Sequence, residues 1–195
     1  CPIAPFVDGI FASEFLEDSA APGYLTQASL PFPSSGIVNQ IACPMDNTSK
    51  TRVIGEINKG ANKNPAINPN SYMAEVDRRV PYANMIYIAD GPSDVPAFSV
   101  MRQKGGLAFA VYNPNSDAEF SQTDMLLQYQ RVNAVGPANY LPTSSTFRWL
   151  KLHLGKICQR IVAEEDQSRQ SRVGASPTHL PATHSPESKT PTELQ

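Results

Sequence analysis

Cysteine is scarce in this chain: three residues, Cys1, Cys43 and Cys158, are scattered over 195 positions. Their number is odd and no two stand at a metal-ligand or redox spacing. That excludes a disulfide framework and predicts reduced, mostly buried thiols in a cytoplasmic protein. Positive charge is thin as well. The net charge is -2 and the densest basic cluster is the pair Arg78-Arg79, which argues against a nucleic-acid partner, because phosphate-backbone binding needs a basic face. No apolar run approaches the roughly 20 residues of a membrane span. Walker A, GxSxG and HExxH patterns are all missing. Cys1-Pro2 opens the chain without the basic and apolar regions of a signal peptide, and the expectation is that a preceding segment is missing from the sequence.

What is present suits one globular domain with a real core. Residues 7–15, VDGIFASEF, alternate and read as a strand running into a turn, and residues 37–42 form a second apolar segment. Asn47, Thr48 and Ser49 offer caps for a helix ending near Lys59-Gly60. Residues 61–70 are turn-formers almost throughout. The continuous apolar run at 85–89 and the run LAFAVY at 107–112 have the pattern of strands covered on both faces in a parallel sheet. Between them, 95–104 reads as a short helix. Residues 117–130 and 144–162 read as amphipathic helices, the second capped by Thr143 or Ser144. This alternation implies an α/β domain over residues 1–163 with a mainly parallel sheet. From Glu164 to Gln195 Ser, Thr, Pro, Gln and Glu dominate, so the expectation is a disordered tail.

The residues that carry chemistry cluster after the first buried run, in Ala89-Asp90-Gly91-Pro92-Ser93-Asp94. A loop leaving the carboxyl end of a parallel strand is where open α/β sheets place ligands. Two carboxylates there can converge on one hard cation such as magnesium. The same pattern equally suits a polar turn in which Asp94 caps the helix from Val95. Lys50 is the second candidate. A lysine in the first turn of a helix opposes the macrodipole, which suggests another use for its charge. Lys59, in Asn58-Lys59-Gly60, fits ordinary helix-end chemistry, and His153 and Cys158 stand five apart, the wrong spacing for a metal pair on one helix face.

Together these residues resemble the haloacid dehalogenase (HAD) superfamily, in particular its phosphoserine-phosphatase-like group. NMIYIADGPSDVPAF at 84–98 is similar to that superfamily's last acidic motif, and KTRVIGEI at 50–57 to its lysine motif. The resemblance spans about residues 5–162. It implies a partial HAD-like Rossmannoid fold, three-layered with a mainly parallel sheet, lacking its N-terminal strand and cap. It also implies a Mg2+-dependent phosphatase acting on a small phosphorylated metabolite. Asp90 is then a direct magnesium ligand, Asp94 the second acidic position supporting the metal or the lysine, and Lys50 the charge-stabilising catalytic lysine. The family's nucleophile, an aspartate in a D-x-D motif, has no counterpart, since no D-x-D occurs in the sequence. The expectation is half an active site, with a non-catalytic HAD-like binding or interaction module as the alternative.

Overall fold

The computed structural model describes residues 4–17 and 38–174, with 15–17 and 38–43 given by backbone alone. Among the described residues, those up to Ile157 form one compact unit and those from Cys158 another.

In the first unit, β1 (Glu14–Glu17) pairs antiparallel with β2 (Val38–Cys43), with register irregularities after Glu14 and after Leu16. The strand expected over 7–15 therefore starts later. Alternation alone does not hold a strand without a neighbour to complete its ladder, and Val7, Ile10 and Phe11 are exposed. Asp8 fastens this segment instead, reaching Lys63 at 3.1 Å and Arg79 at 3.4 Å.

Helix α1 (Asn47–Lys59) is capped by Asp46, one residue before the expected caps. Its carboxylate accepts from the Ser49 N–H at 2.7 Å. Gly60, in the left-handed region at φ 84°, closes the helix by donating to the Glu56 carbonyl. The turn-rich stretch that follows is tied back to this end. Lys59 donates to the carbonyls of Pro69 and Ser71, and buried Asn58 donates to the Val80 carbonyl while accepting from Arg78.

A three-stranded parallel sheet follows, in the order β3 (Ile86–Ala89), β4 (Leu107–Tyr112), β5 (Ala134–Pro137). Helix α2 (Val95–Gln103) connects the first pair and α3 (Asp117–Gln128) the second. The α/β expectation is met at this level: an open parallel sheet with helices in its crossovers. Strand β5 was not legible in the sequence, because its four residues, AVGP, include glycine and proline, which read as turn signals. Proline is tolerated there because β5 is an edge.

Period-two alternation along β4 divides the core. Ala108 and Ala110 pack with Phe98, Met101 and Leu126 from α2 and α3. Phe109 instead meets Trp149 at 4.7 Å between ring centroids. Trp149 belongs to α4 (Ser145–Arg172), whose first turn is capped by Ser144 accepting from Phe147 N–H at 3.0 Å. This helix passes the point where the sequence places a disordered tail from Glu164. Low hydrophobicity does not prevent helix where formers run uninterrupted, and Glu165–Arg169 at 3.1 Å and Arg160–Glu164 at 3.7 Å support the extension. The tail from residue 175 onward lies outside the described residues. Cys158 is an exposed free thiol rather than a buried one. No helix among the described residues is long and apolar enough to cross a membrane.

Two outcomes test this packing. A Cβ at Gly136 would stand 2.5 Å from Thr146 Oγ1 and 2.9 Å from the Phe109 ring. Gly136→Ala should therefore destabilise the protein by about 1–3 kcal/mol in urea titrations, with a neutral result refuting the close approach. Trp149, the chain's one tryptophan, stacks on His153 at 4.0 Å, and burial, then the Lys156 charge, holds that imidazole below its ordinary 6.5. A histidine whose folded value is depressed favours the fold above the unfolded value and loses that contribution as pH falls through the folded one. Trp149 emission should thus titrate with a midpoint below 6.5, and His153→Gln should remove the transition.

Candidate functional site

The loop after β3 begins at Asp90, takes Gly91 in extended conformation and makes one 3-10 turn, Pro92–Asp94, before α2. It leaves the carboxyl end of a parallel strand, where the sequence placed it. Its two carboxylates differ sharply. Asp94 is 2% exposed, whereas Asp90 is exposed and makes no hydrogen bond or ion pair among the described residues.

Asp94 sits at the start of α2, yet its carboxylate makes no cap hydrogen bond. It accepts from three side chains instead. Lys50 Nζ lies 2.9 Å from Oδ1, the Tyr87 hydroxyl 2.5 Å from the same oxygen, and the Ser93 hydroxyl 3.1 Å from Oδ2. Lys50 Nζ also lies 3.3 Å from Ser93 Oγ. Lys50 and Asp94 are thus brought together across 44 residues, joining the first turn of α1 to the loop after β3. Asp94 is thus held by the Lys50 ammonium and two hydroxyls.

This arrangement explains the lysine at a helix start. The α1 dipole disfavours an ammonium there, and a carboxylate at 2.9 Å outweighs that small penalty. Sequence reasoning missed Tyr87 and Ser93, because one is hidden in an apolar run and the other reads as a spacer. A tyrosine inside a buried strand is the signal that was available, since its hydroxyl needs a partner. Burial first, then the hydrogen bond to Asp94, then the charges of Asp94 and Asp90 push the Tyr87 phenol well above its ordinary 10.0.

Two clefts flank Asp90. One, of about 430 Å3, follows the unpaired edge of β3 and is lined by Phe11, Met45, Lys50, Val53 and Ile88 beside both aspartates. The other, of about 300 Å3, lies at the carboxyl ends of β4 and β5, where Asp90 meets Tyr112, Asn113 and Glu119. Glu119 braces the rim of the second by accepting from the Asn113 N–H at 2.8 Å. No group of three or more His, Cys, Asp or Glu side chains able to hold a metal occurs among the described residues. The protein ligand that fits magnesium is the unpaired Asp90 carboxylate; Mg2+ commonly combines one or two carboxylates with water and phosphate oxygens.

No protein-family model matches the chain, and no solved structure matches it. An uncharacterized protein of Borreliella burgdorferi is 32% identical over 159 residues, which cover 80% of this chain and 52% of that protein. The chain spans about half the length of this curated relative.

The Lys50–Asp94 latch makes a stability prediction. Lys50→Met leaves the buried Asp94 carboxylate without its counter-charge and should cost about 2–4 kcal/mol in urea unfolding. The double variant Lys50→Met/Asp94→Asn should recover most of that loss; additive losses would show the two residues do not act as a pair. A separate alkaline limb follows from Tyr87. Its folded value is raised, so its contribution is complete below the unfolded value of 10.0 and is lost as pH rises toward the folded one. Tyr87→Phe should flatten the fall in stability above pH 10.0, read by denaturant midpoints.

Proposed function

We propose that this chain is part of a Mg2+-dependent phosphomonoesterase of the HAD type, acting on a small phosphorylated metabolite in the cytoplasm. The observation that carries the reading is the pairing of Lys50 with buried Asp94 beside an unpaired Asp90, at the carboxyl end of a parallel strand. The residue-level resemblance to the superfamily's lysine and last acidic motifs rests on these same three positions.

Each side chain has a definite task. Asp94, fixed by Tyr87 and Ser93, holds the Lys50 ammonium at the mouth of the site. That ammonium offsets negative charge on a phosphoryl group as it transfers. Asp90 holds the metal, which supplies further charge neutralisation when bound. The nucleophile is an aspartate carried by a strand outside this chain. Ile86–Ala89 presents an open edge beside an apolar cleft, which suits such a strand, and its carboxyl end would fall next to Lys50 and Asp90. The Borreliella relative is about twice the aligned length, which leaves room for such a segment.

The lack of any D-x-D in the sequence favours a second reading, a non-catalytic HAD-like binding or interaction module. One experiment separates the two. The coding sequence upstream of Cys1 is read, and the extended protein is assayed for Mg2+-dependent hydrolysis of p-nitrophenyl phosphate. The enzyme reading requires a strand ending in D-x-D upstream, abolition of activity by Asp90→Asn, and a loss of about 100-fold or more with Lys50→Ala. Full activity in Asp90→Asn, or no such strand upstream, leaves the binding module.

A further inference from the structure

At the other end of the sheet, before β4 and β5 begin, the last turn of α2 and the turn after α3 enclose a second kind of cleft. Its volume is about 340 Å3, and it is lined by Ser99, Arg102, Gln103, Tyr129, Gln130 and Arg131. Every one of these side chains carries a hydrogen-bond donor, two are guanidinium groups, and none is an acid.

The charge there is not spent inside the protein. Lys50, Arg52, Lys63, Arg79, Arg160 and Arg169 all have carboxylate partners. Among the described residues Arg102 and Arg131, like several other basic side chains, have none, and the side-chain partner of Arg131 is the Ser99 hydroxyl at 3.4 Å. Most of the acceptors that two helix ends would otherwise present are also taken. The N–H groups of Lys104, Gly105 and Gly106 bond to the carbonyls of Val100, Arg102 and Met101; those of Tyr129, Gln130 and Arg131 bond to Met125, Leu127 and Leu126. Gln130 alone among the non-glycine described residues has positive φ, at 55°, in the position after a helix where glycine is usual. This turn carries Arg131 back toward α2.

A bland role exists for Arg102, since a cation in the last turn of a helix complements the dipole. That role suits one exposed cation at each helix end, with Arg131 following α3 as Arg102 closes α2. It does not account for the approach of Arg131 to Ser99 across the cleft, nor for a lining made of donors alone.

We propose that this cleft binds a small oxyanion of the phosphate class, with Arg102 and Arg131 supplying charge-assisted hydrogen bonds and Ser99 a third donor. Guanidinium groups match the spacing of oxygens on phosphate, and three donors suit an anion with several acceptors. The site is separate from the Lys50–Asp94 pair and independent of the phosphatase reading.

Arginine modification tests it directly. The full chain is treated with phenylglyoxal and the labelling rates of Arg102 and Arg131 are followed by peptide mass spectrometry. Inorganic phosphate and glycerol 3-phosphate are titrated at constant ionic strength set with sodium chloride. Both rates should fall saturably, by about fivefold or more at saturation, while exposed Arg148 is unaffected. Protection should persist in Lys50→Ala, weaken in Ser99→Ala, and disappear at Arg102 in Arg131→Ala. Stronger protection by the ester would identify an esterified phosphate as the ligand, and equal protection phosphate itself. Non-saturable protection, protection matched by chloride, or protection lost in Lys50→Ala would overturn the proposal.

Discussion

Burying the Asp94 carboxylate is unfavourable unless its oxygens find donors, and much of the local structure satisfies that demand. Lys50 comes from α1, Tyr87 from β3, and Ser93 from the turn that separates β3 from α2. One side chain therefore ties α1 to the β3–α2 corner, 44 residues further along the chain. The edge contact of Tyr87 with Phe98, at 5.6 Å between ring centroids, continues the connection into the apolar core. The site and the core consequently share a wall, so changes to the polar latch are felt as changes in stability as well as in chemistry.

The same demand separates the roles of the two aspartates. A carboxylate accepting from an ammonium and two hydroxyls has little remaining capacity for a cation. Asp90, four residues earlier, is left exposed and unpaired. The intervening Gly91 and Pro92–Asp94 turn create this division, sending one acid into the protein and leaving the other at the strand end. A turn with both carboxylates exposed would instead place two like charges side by side with no counter-charge held nearby.

Legibility in the sequence followed the strength of local signals. Strands β3 and β4 and helices α1 to α3 were visible, because apolar runs mark the strands and glycine follows α1 and α2. Strand β5 was not visible, because glycine and proline within four residues outweigh two apolar side chains. The glycine is there for the close approach of Thr146 and Phe109, a long-range reason that no local pattern carries. The full reach of α4 was hidden for the opposite reason. Its last turns bury almost nothing and depend on backbone hydrogen bonds and i,i+4 ion pairs, whereas burial is what a hydropathy reading detects. The pairing of Lys50 with Asp94 was hinted at by the dipole mismatch at the start of α1 and by the resemblance, which let Asp94 support either the metal or the lysine. Of the two hydroxyls that complete that network, Tyr87 gave only the sign of a tyrosine inside a buried strand, and Ser93 none.

Among the described residues β3 is an open edge of the sheet, beside the candidate site. Parallel strands are normally covered on both faces and flanked on both sides, and β3 has the apolar sequence of such an interior strand. Beyond its short length it lacks the usual protection of an edge: no lysine or proline lies within Ile86–Ala89, and Ile88 is 36% exposed beside an apolar cleft. The sheet order is also sequential, so these three strands by themselves contain no point at which strand order reverses, the usual place for a ligand. A strand added on the far side of β3 would create that point directly above Asp90 and Lys50. Sequence pattern, edge chemistry and the placement of the polar residues thus converge on this side of β3, where a further strand could add.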